Sequence, residues 1–230
     1  MVNCFIFARG GSKGLPKKNI KMFHGLPLIS HSISLAKNAS FIDRVFVSTD
    51  CKEIAQVAST LSADIIKRPK SLATDTSSEL LSWKHAIEYV VKNYGIFDYF
   101  ISLPATSPLR AESDVEACLN KLRDDKSDMC LTITESSHNP RFNMVHMNDD
   151  QKVRLIDDNH SITRRQDAQK AFNITTVAYA AVPEYVLSTS NLMNGDVSAV
   201  TVPKNRAVDI DDINDFHFAE FLFQNARSAL

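Results

Sequence analysis

Residues 3–19 read NCFIFARGGSKGLPKKN. Asn3–Ala8 is a short, mainly apolar run that stops at a glycine-rich turn, the pattern of a buried strand. The turn therefore sits at a strand's carboxyl end, where open α/β sheets bind ligands. Gly10, Gly11 and Gly14 let backbone N–H groups come close to a polyanion. Arg9, Lys13, Lys17 and Lys18 add four cations within ten residues. The stretch lacks GxxxxGK[ST] and GxGxxG, so it is neither a Walker A loop nor a dinucleotide fingerprint. It reads as a triphosphate cradle, against the plainer reading of a basic surface turn.

Outward from this loop the chain alternates. Pro27–Asn38 carries apolar residues at a helical period, and Arg44–Thr49 (RVFVST) reads as a strand. Helices are expected over Glu53–Leu61, Ser77–Asn93 and Glu112–Arg123, and strands over Asp64–Lys67, Asp98–Leu103 and Met129–Thr134. Ser77 or Ser78 is placed to cap the second of these helices. This rhythm predicts a mostly parallel sheet with helices on both faces. After Thr134 it breaks. Residues 138–171 are polar, with short strand-like pieces at Phe142–Met147 and Lys152–Ile156, and read as an arm, lid or dimerisation flap. It resumes at Ile174–Ala181 and Ala199–Val202 and closes in a helix over Asp212–Ala226. One domain, 1–230, with this inserted arm is expected.

Composition excludes several classes. Against 26 Lys and Arg stand 27 Asp and Glu, a net charge of −1, so no broad field exists for nucleic acid or an anionic membrane. Apolar residues make up 44% and charged residues 23%, as in a globular protein. No apolar run is long enough to span a bilayer, and the first apolar stretch is too short for a signal peptide. Cys4, Cys51, Cys118 and Cys130 are scattered without a CxxC, which suits buried thiols in a reducing cytosol. A cytoplasmic location is expected.

Four further stretches carry chemistry. VDIDD at 208–212 puts Asp209 and Asp211 on one side of an extended segment, as hard oxygen ligands suited to Mg²⁺, with Asp212 as a helix cap. RPKSLATDTSS at 68–78 is a polar loop whose amides and hydroxyls suit a base or phosphate. ATSPLR at 105–110 sets hydroxyls at another strand's end. RRQD at 164–167 offers guanidinium groups for a carboxylate or phosphate. The seven histidines show no HExxH or HxxxH spacing; His138, at the start of the arm, is a modest site candidate. Trp83 and the phenylalanines of the last helix read as packing.

Five blocks in this order, RGGSKGLPKKN, RPKSLATDTSS, ATSPLR, RRQDAQKAF and VDIDDINDF, resemble the acylneuraminate cytidylyltransferases, or CMP-sialic acid synthetases, over essentially the whole chain. The resemblance implies a three-layer α/β, nucleotide-diphospho-sugar transferase-like fold. It also implies a homodimer in which each arm reaches the partner's active site. The implied substrates are CTP and a nonulosonic (sialic-type) acid. CMP passes to the anomeric hydroxyl, pyrophosphate leaves, and Mg²⁺ assists. Arg9, Gly11, Ser12, Lys13, Lys18, Asn19, Arg68, Ser77 and Ser78 are then nucleotide-binding. Thr106, Ser107, Arg165, Gln166 and Thr175 are sugar-side. Lys13, Arg9 and Arg165 are catalytic, and Asp209 and Asp211 hold the metal.

Two departures fall where sugar recognition is expected. Pro104 stands where the family often has Gln, and Phe172–Tyr179 replaces the family's Asn-Gly run. Legionaminic, pseudaminic or deaminated neuraminic acid, or Kdo, are therefore alternative acceptors. A non-catalytic nucleotide-binding module is the alternative outside enzymes.

Overall fold

The computed structural model describes residues 1–158 and 164–228. In chain order the elements begin with β1 (Val2–Phe7), β2 (Met22–Phe23), β3 (Leu26–Pro27), α1 (Leu28–Asn38), β4 (Arg44–Thr49), α2 (Lys52–Thr60) and β5 (Asp64–Lys67). They continue with α3 (Glu79–Tyr94), β6 (Tyr99–Ser102), α4 (Glu112–Asp125) and β7 (Met129–Glu135). The rest are β8 (Val145–Met147), β9 (Val153–Leu155), β10 (Phe172–Ala181), α5 (Pro183–Ser188), β11 (Val197–Thr201) and α6 (Ile213–Ser228).

Seven strands form the central sheet, in the order β11-β7-β10-β6-β1-β4-β5. β10 is antiparallel to β6 and β7, and the other pairings are parallel. The arm explains the exception. The chain leaves β7 at the carboxyl edge, makes the arm, and re-enters at that edge, so it must run back. The parallel strands send the segments after β1, β5, β6 and β11 to one edge of the sheet. The order reverses between β1 and β6, the switch point where such sheets open a crevice.

Alternation along β1 builds both faces. Val2, Cys4 and Ile6 pack with Ile29 and Ile33 of α1 and Val115 and Leu119 of α4. Phe5 points the other way, to Phe46, Phe100 and Trp83 under α3. This is the expected three-layer arrangement. A smaller cluster of Leu15, Phe23, Leu28, Ile210 and Phe216 ties the N-terminal loop to α6. Cys4, Cys118 and Cys130 are buried free thiols, whereas Cys51 is only half-buried. Trp83 is fully buried, as expected, and Phe216 too, but Phe218 and Phe221 face solvent.

Two pieces went unforeseen. The β2–β3 hairpin has two residues per strand, too few for a period, and turns through His24 and Gly25 at φ 46° and 84°. α5 is six residues behind Pro183. Within 138–171, β8 and β9 pair as a separate two-stranded sheet, with Arg141 holding Asp157 at 2.7 Å. Among the described residues no helix is long and apolar enough to cross a membrane.

Candidate nucleotide site

The segments that the sheet delivers to its carboxyl edge enclose a cleft of about 460 Å³. The glycine-rich loop contributes Arg9, Ser12, Lys13, Lys18 and Asn19; the loop after β5 contributes Arg68 and Ser77; Thr106 and Asp211 complete the set. These nine come from the sequence reading, drawn from four separate blocks.

Inside the loop, Asn19 Nδ2 donates to the Arg9 carbonyl at 3.1 Å and closes the turn. Gly10 N–H donates to Asp50 Oδ1 at 2.9 Å. The loop touches the acidic segment directly. A Cβ on Gly14 would lie 2.5 Å from the Asp211 carbonyl oxygen, so only glycine fits this approach. Lys18 Nζ donates to the Ile210 carbonyl at 2.6 Å and pairs with Asp211 at 3.0 Å. Lys18 thus ties loop to acidic segment. Ile210 is fully buried between the two aspartates and anchors them. Asp212 Oδ1 accepts from the Asn214 and Asp215 N–H groups, the expected cap of α6.

Asp209 and Asp211 sit close enough to repel. Burial raises the Asp209 pKa first, and the Asp211 charge raises it further; the Thr106 and Thr176 hydroxyls pull it down. Asp209 Oδ1 is buried without a hydrogen-bond partner. An orphaned carboxylate oxygen beside a second carboxylate is a donor set that fits a hard divalent cation. No group of three or more His, Cys, Asp or Glu suited to a metal occurs among the described residues. Further ligands would come from phosphate or water, the usual habit of Mg²⁺.

Arg68 lies over the Phe7 ring at 5.6 Å and donates to Ser48 Oγ at 3.1 Å and to the Ser48 carbonyl at 2.8 Å. Burial draws its pKa down to about 10, which leaves it charged at neutral pH. Ser77 Oγ is buried without a partner at the cleft wall, so the capping alternative does not use it. Ser78 is the N-cap residue of α3, but its side chain makes no cap bond and it does not line the cleft. Gly11 is exposed and also lies outside the lining.

The sugar-side residues divide. Ser107 is buried and its hydroxyl meets Thr176 Oγ1 at 2.6 Å, beside Asp209. Thr175 is not brought to the cleft. Its buried hydroxyl donates to Thr132 Oγ1 at 2.7 Å and clamps β10 to β7, and it is the Thr176 hydroxyl that meets Ser107 and Asp209. Gln166 is exposed in the arm and lines a separate hollow with His138. The Arg165 backbone lies in a short turn over Arg165–Asp167, and its side chain falls outside the described residues.

Sequence reasoning singled out none of six further cleft residues: Phe7, Leu72, Thr74, Asp75, Glu79 and Ser82. Asp75 sits inside the RPKSLATDTSS block, but its partners Arg9 and Lys13 lie in another loop and nothing local marks them. Glu79 opens α3, where an acid is explained by the helix dipole. Desolvation raises the Glu79 pKa, with Arg68 pulling it down.

Asp211 lines the crevice, whereas Asp209 lies outside the lining. A switch-point crevice lined by cations, hydroxyls and a carboxylate defines the class: an α/β enzyme built to hold a nucleotide polyphosphate. A family model described as Cytidylyltransferase matches residues 3–205, and the chain belongs to that family. A pseudaminic acid cytidylyltransferase of Campylobacter jejuni is 33% identical over 98% of both chains. A CMP-N,N'-diacetyllegionaminic acid synthase of the same species is 30% identical, covering 95% of this chain and 93% of the other. A CMP:2-keto-3-deoxy-manno-octonic acid synthetase solved with CTP superposes with a TM-score of 0.72 at 19% identity, covering 98% of this chain and 99% of that one. That likeness carries the fold.

Proposed function

We propose that this protein transfers CMP from CTP to the anomeric hydroxyl of a nonulosonic acid and releases pyrophosphate. The observation that carries the reading is the contact of Gly14 and Lys18 with the Ile210–Asp211 backbone, which brings the cationic loop against the segment that carries the two aspartates, with Asp211 at the cleft wall. The relatives at 33% and 30% identity favour a pseudaminic or legionaminic type of acceptor over sialic acid. The changes at Pro104 and along 172–179 fall on the sugar side and agree with that order.

In this reaction the anomeric hydroxyl loses its proton to water as its oxygen bonds to the α-phosphorus. The bond from that phosphorus to the bridging oxygen breaks, and pyrophosphate leaves. The chain's task is alignment and charge stabilisation. Lys13 and Arg9 neutralise the charge that grows on the leaving group. Backbone amides and Ser12 orient the phosphates. Arg68 and Ser77 hold the nucleoside side over Phe7. Asp209 and Asp211 would hold Mg²⁺, which supplies positive charge to phosphate oxygens when bound. Thr106 and Ser107 face the acceptor.

The arm supports a homodimer. An isolated two-stranded hairpin is marginal in water. β8 and β9 nevertheless expose Val145, Met147 and Val153, and the adjoining start of β10 exposes Phe172 and Ile174. A second copy would cover this face and bring Arg165 and Gln166 to the neighbouring cleft. A cytoplasmic location follows from free thiols and nucleotide chemistry together.

The test is pyrophosphate release by purified protein with CTP, Mg²⁺ and a panel of sugar acids. Turnover with pseudaminic or legionaminic acid above N-acetylneuraminate and Kdo is expected. No release with any acid would refute the enzymatic reading.

A further inference from the structure

The cations of the glycine-rich loop already hold an anion, and it belongs to the chain. Asp75, in the loop between β5 and α3, reaches across the cleft mouth. Its Oδ1 lies 2.8 Å from Arg9 Nη1 and its Oδ2 lies 2.7 Å from Lys13 Nζ. One carboxylate thus spans two cations, the task assigned above to a phosphate. The pairing holds the carboxyl below the usual range. Asp75 is 43% exposed and Lys13 78%, so neither is locked by packing.

The geometry points to Asp75 as an internal competitor for the phosphates: it occupies Arg9 and Lys13 in the empty cleft, yields them to CTP, and reclaims them as pyrophosphate leaves. This rests on the proposed function, because it takes the two cations as phosphate ligands. The physical ground is exclusion. The Asp75 carboxylate and a phosphate oxygen cannot share the same donors, and two like charges in one exposed cradle repel. The exchange is cheap. An exposed ion pair is worth a factor of about 1.4 to 5, so giving up two costs far less than a triphosphate gains from charged donors. The cradle is thereby kept in shape without a ligand, and pyrophosphate is displaced by a tethered anion instead of waiting to dissociate unaided.

A fixed positioning role for Asp75 predicts the opposite sign. If the carboxylate stayed to aim Arg9 and Lys13 at the phosphates, its loss would weaken binding. Calorimetry with CTP, pyrophosphate and cytidine, on the wild type and on Asp75→Asn, separates the two. Competition predicts that Asp75→Asn binds CTP and pyrophosphate about three- to tenfold more tightly, from two released ion pairs. Cytidine, which has no phosphate, should bind equally to both. Glu53→Gln removes one charge nearby, from a carboxylate that pairs with Lys17 at 3.0 Å outside the cleft lining. It should give a clearly smaller gain, because a general field effect falls on both variants alike. Equal gains from Asp75→Asn and Glu53→Gln, or weaker CTP binding by Asp75→Asn, would overturn the competitor role while leaving the proposed function standing. Failure of the wild type itself to bind CTP would overturn the proposed function, and this inference with it.

Discussion

Single side chains at the cleft carry separable loads. Lys13→Ala should lower pyrophosphate release about 10²-fold or more, the scale of one preorganised donor to developing charge. A wild-type rate in that variant would remove Lys13 from the chemistry. Gly14→Ala tests a contact instead of a charge. The new methyl meets the Asp211 carbonyl at 2.5 Å, so backbone must shift and the acidic segment with it. CTP turnover should fall while the melting temperature moves little, since the loop lies outside the two large core clusters. Unchanged turnover would mean the loop and Asp211 need not touch. Arg110 behaves differently, although it closes the ATSPLR block. Fully enclosed, it donates to Val177 O at 2.6 Å, Ser32 Oγ at 2.5 Å, Thr176 O at 3.2 Å and the Pro104 carbonyl. Burial draws its pKa down to about 10. Arg110→Met should cost about 3 kcal/mol or more in denaturant unfolding, because several acceptors lose their donor at about 1–3 kcal/mol each. A cost below 1 kcal/mol would contradict the clamp.

Elements place these side chains, and the sequence showed most of them. Arg44–Thr49 and Asp64–Lys67 are strands at the expected boundaries: the first is a β-branched run buried on both sides, and the second, at the sheet's edge, is marked by Ile65 and Ile66. The direction of β10 was not legible: apolar content marks a strand but not its sense, and only the arm's return to the same edge sets it. The assignment of Thr175 failed for a related reason. Successive strand residues face opposite ways, and the register of β10 shifts between Ile174 and Tyr179, so the exposed hydroxyl could not be chosen by spacing. Gly-rich loop, ATSPLR hydroxyls and acid pair were readable because their chemistry is local. Asp75 was not, because its role lies in reaching Arg9 and Lys13 across some sixty residues of chain. The acidic segment has no regular structure of its own and depends on Ile210. Ile210→Ala should cost about 2–5 kcal/mol through the cavity it leaves. It should also raise the Mg²⁺ needed for half-maximal turnover as the aspartates lose their anchor. A destabilised protein with an unchanged Mg²⁺ requirement would separate the anchor from the site.

At the scale of the molecule, the proposed dimer would join a cleft within one chain to the arm of another. Sedimentation should give a dimer, and charge placed on the arm by Met147→Asp with Val153→Asp should yield monomers of reduced turnover. A wild-type monomer with full activity would rule out a shared site. The central claim is that cationic loop and acidic pair hold one nucleotide between them. Calorimetric titration of CTP with and without Mg²⁺, on the wild type and on the double variant Asp209→Asn/Asp211→Asn, measures it directly. The account predicts that Mg²⁺ tightens CTP binding in the wild type, and that the double variant still binds CTP through the loop but gains nothing from Mg²⁺. An equal Mg²⁺ gain in both proteins would contradict it.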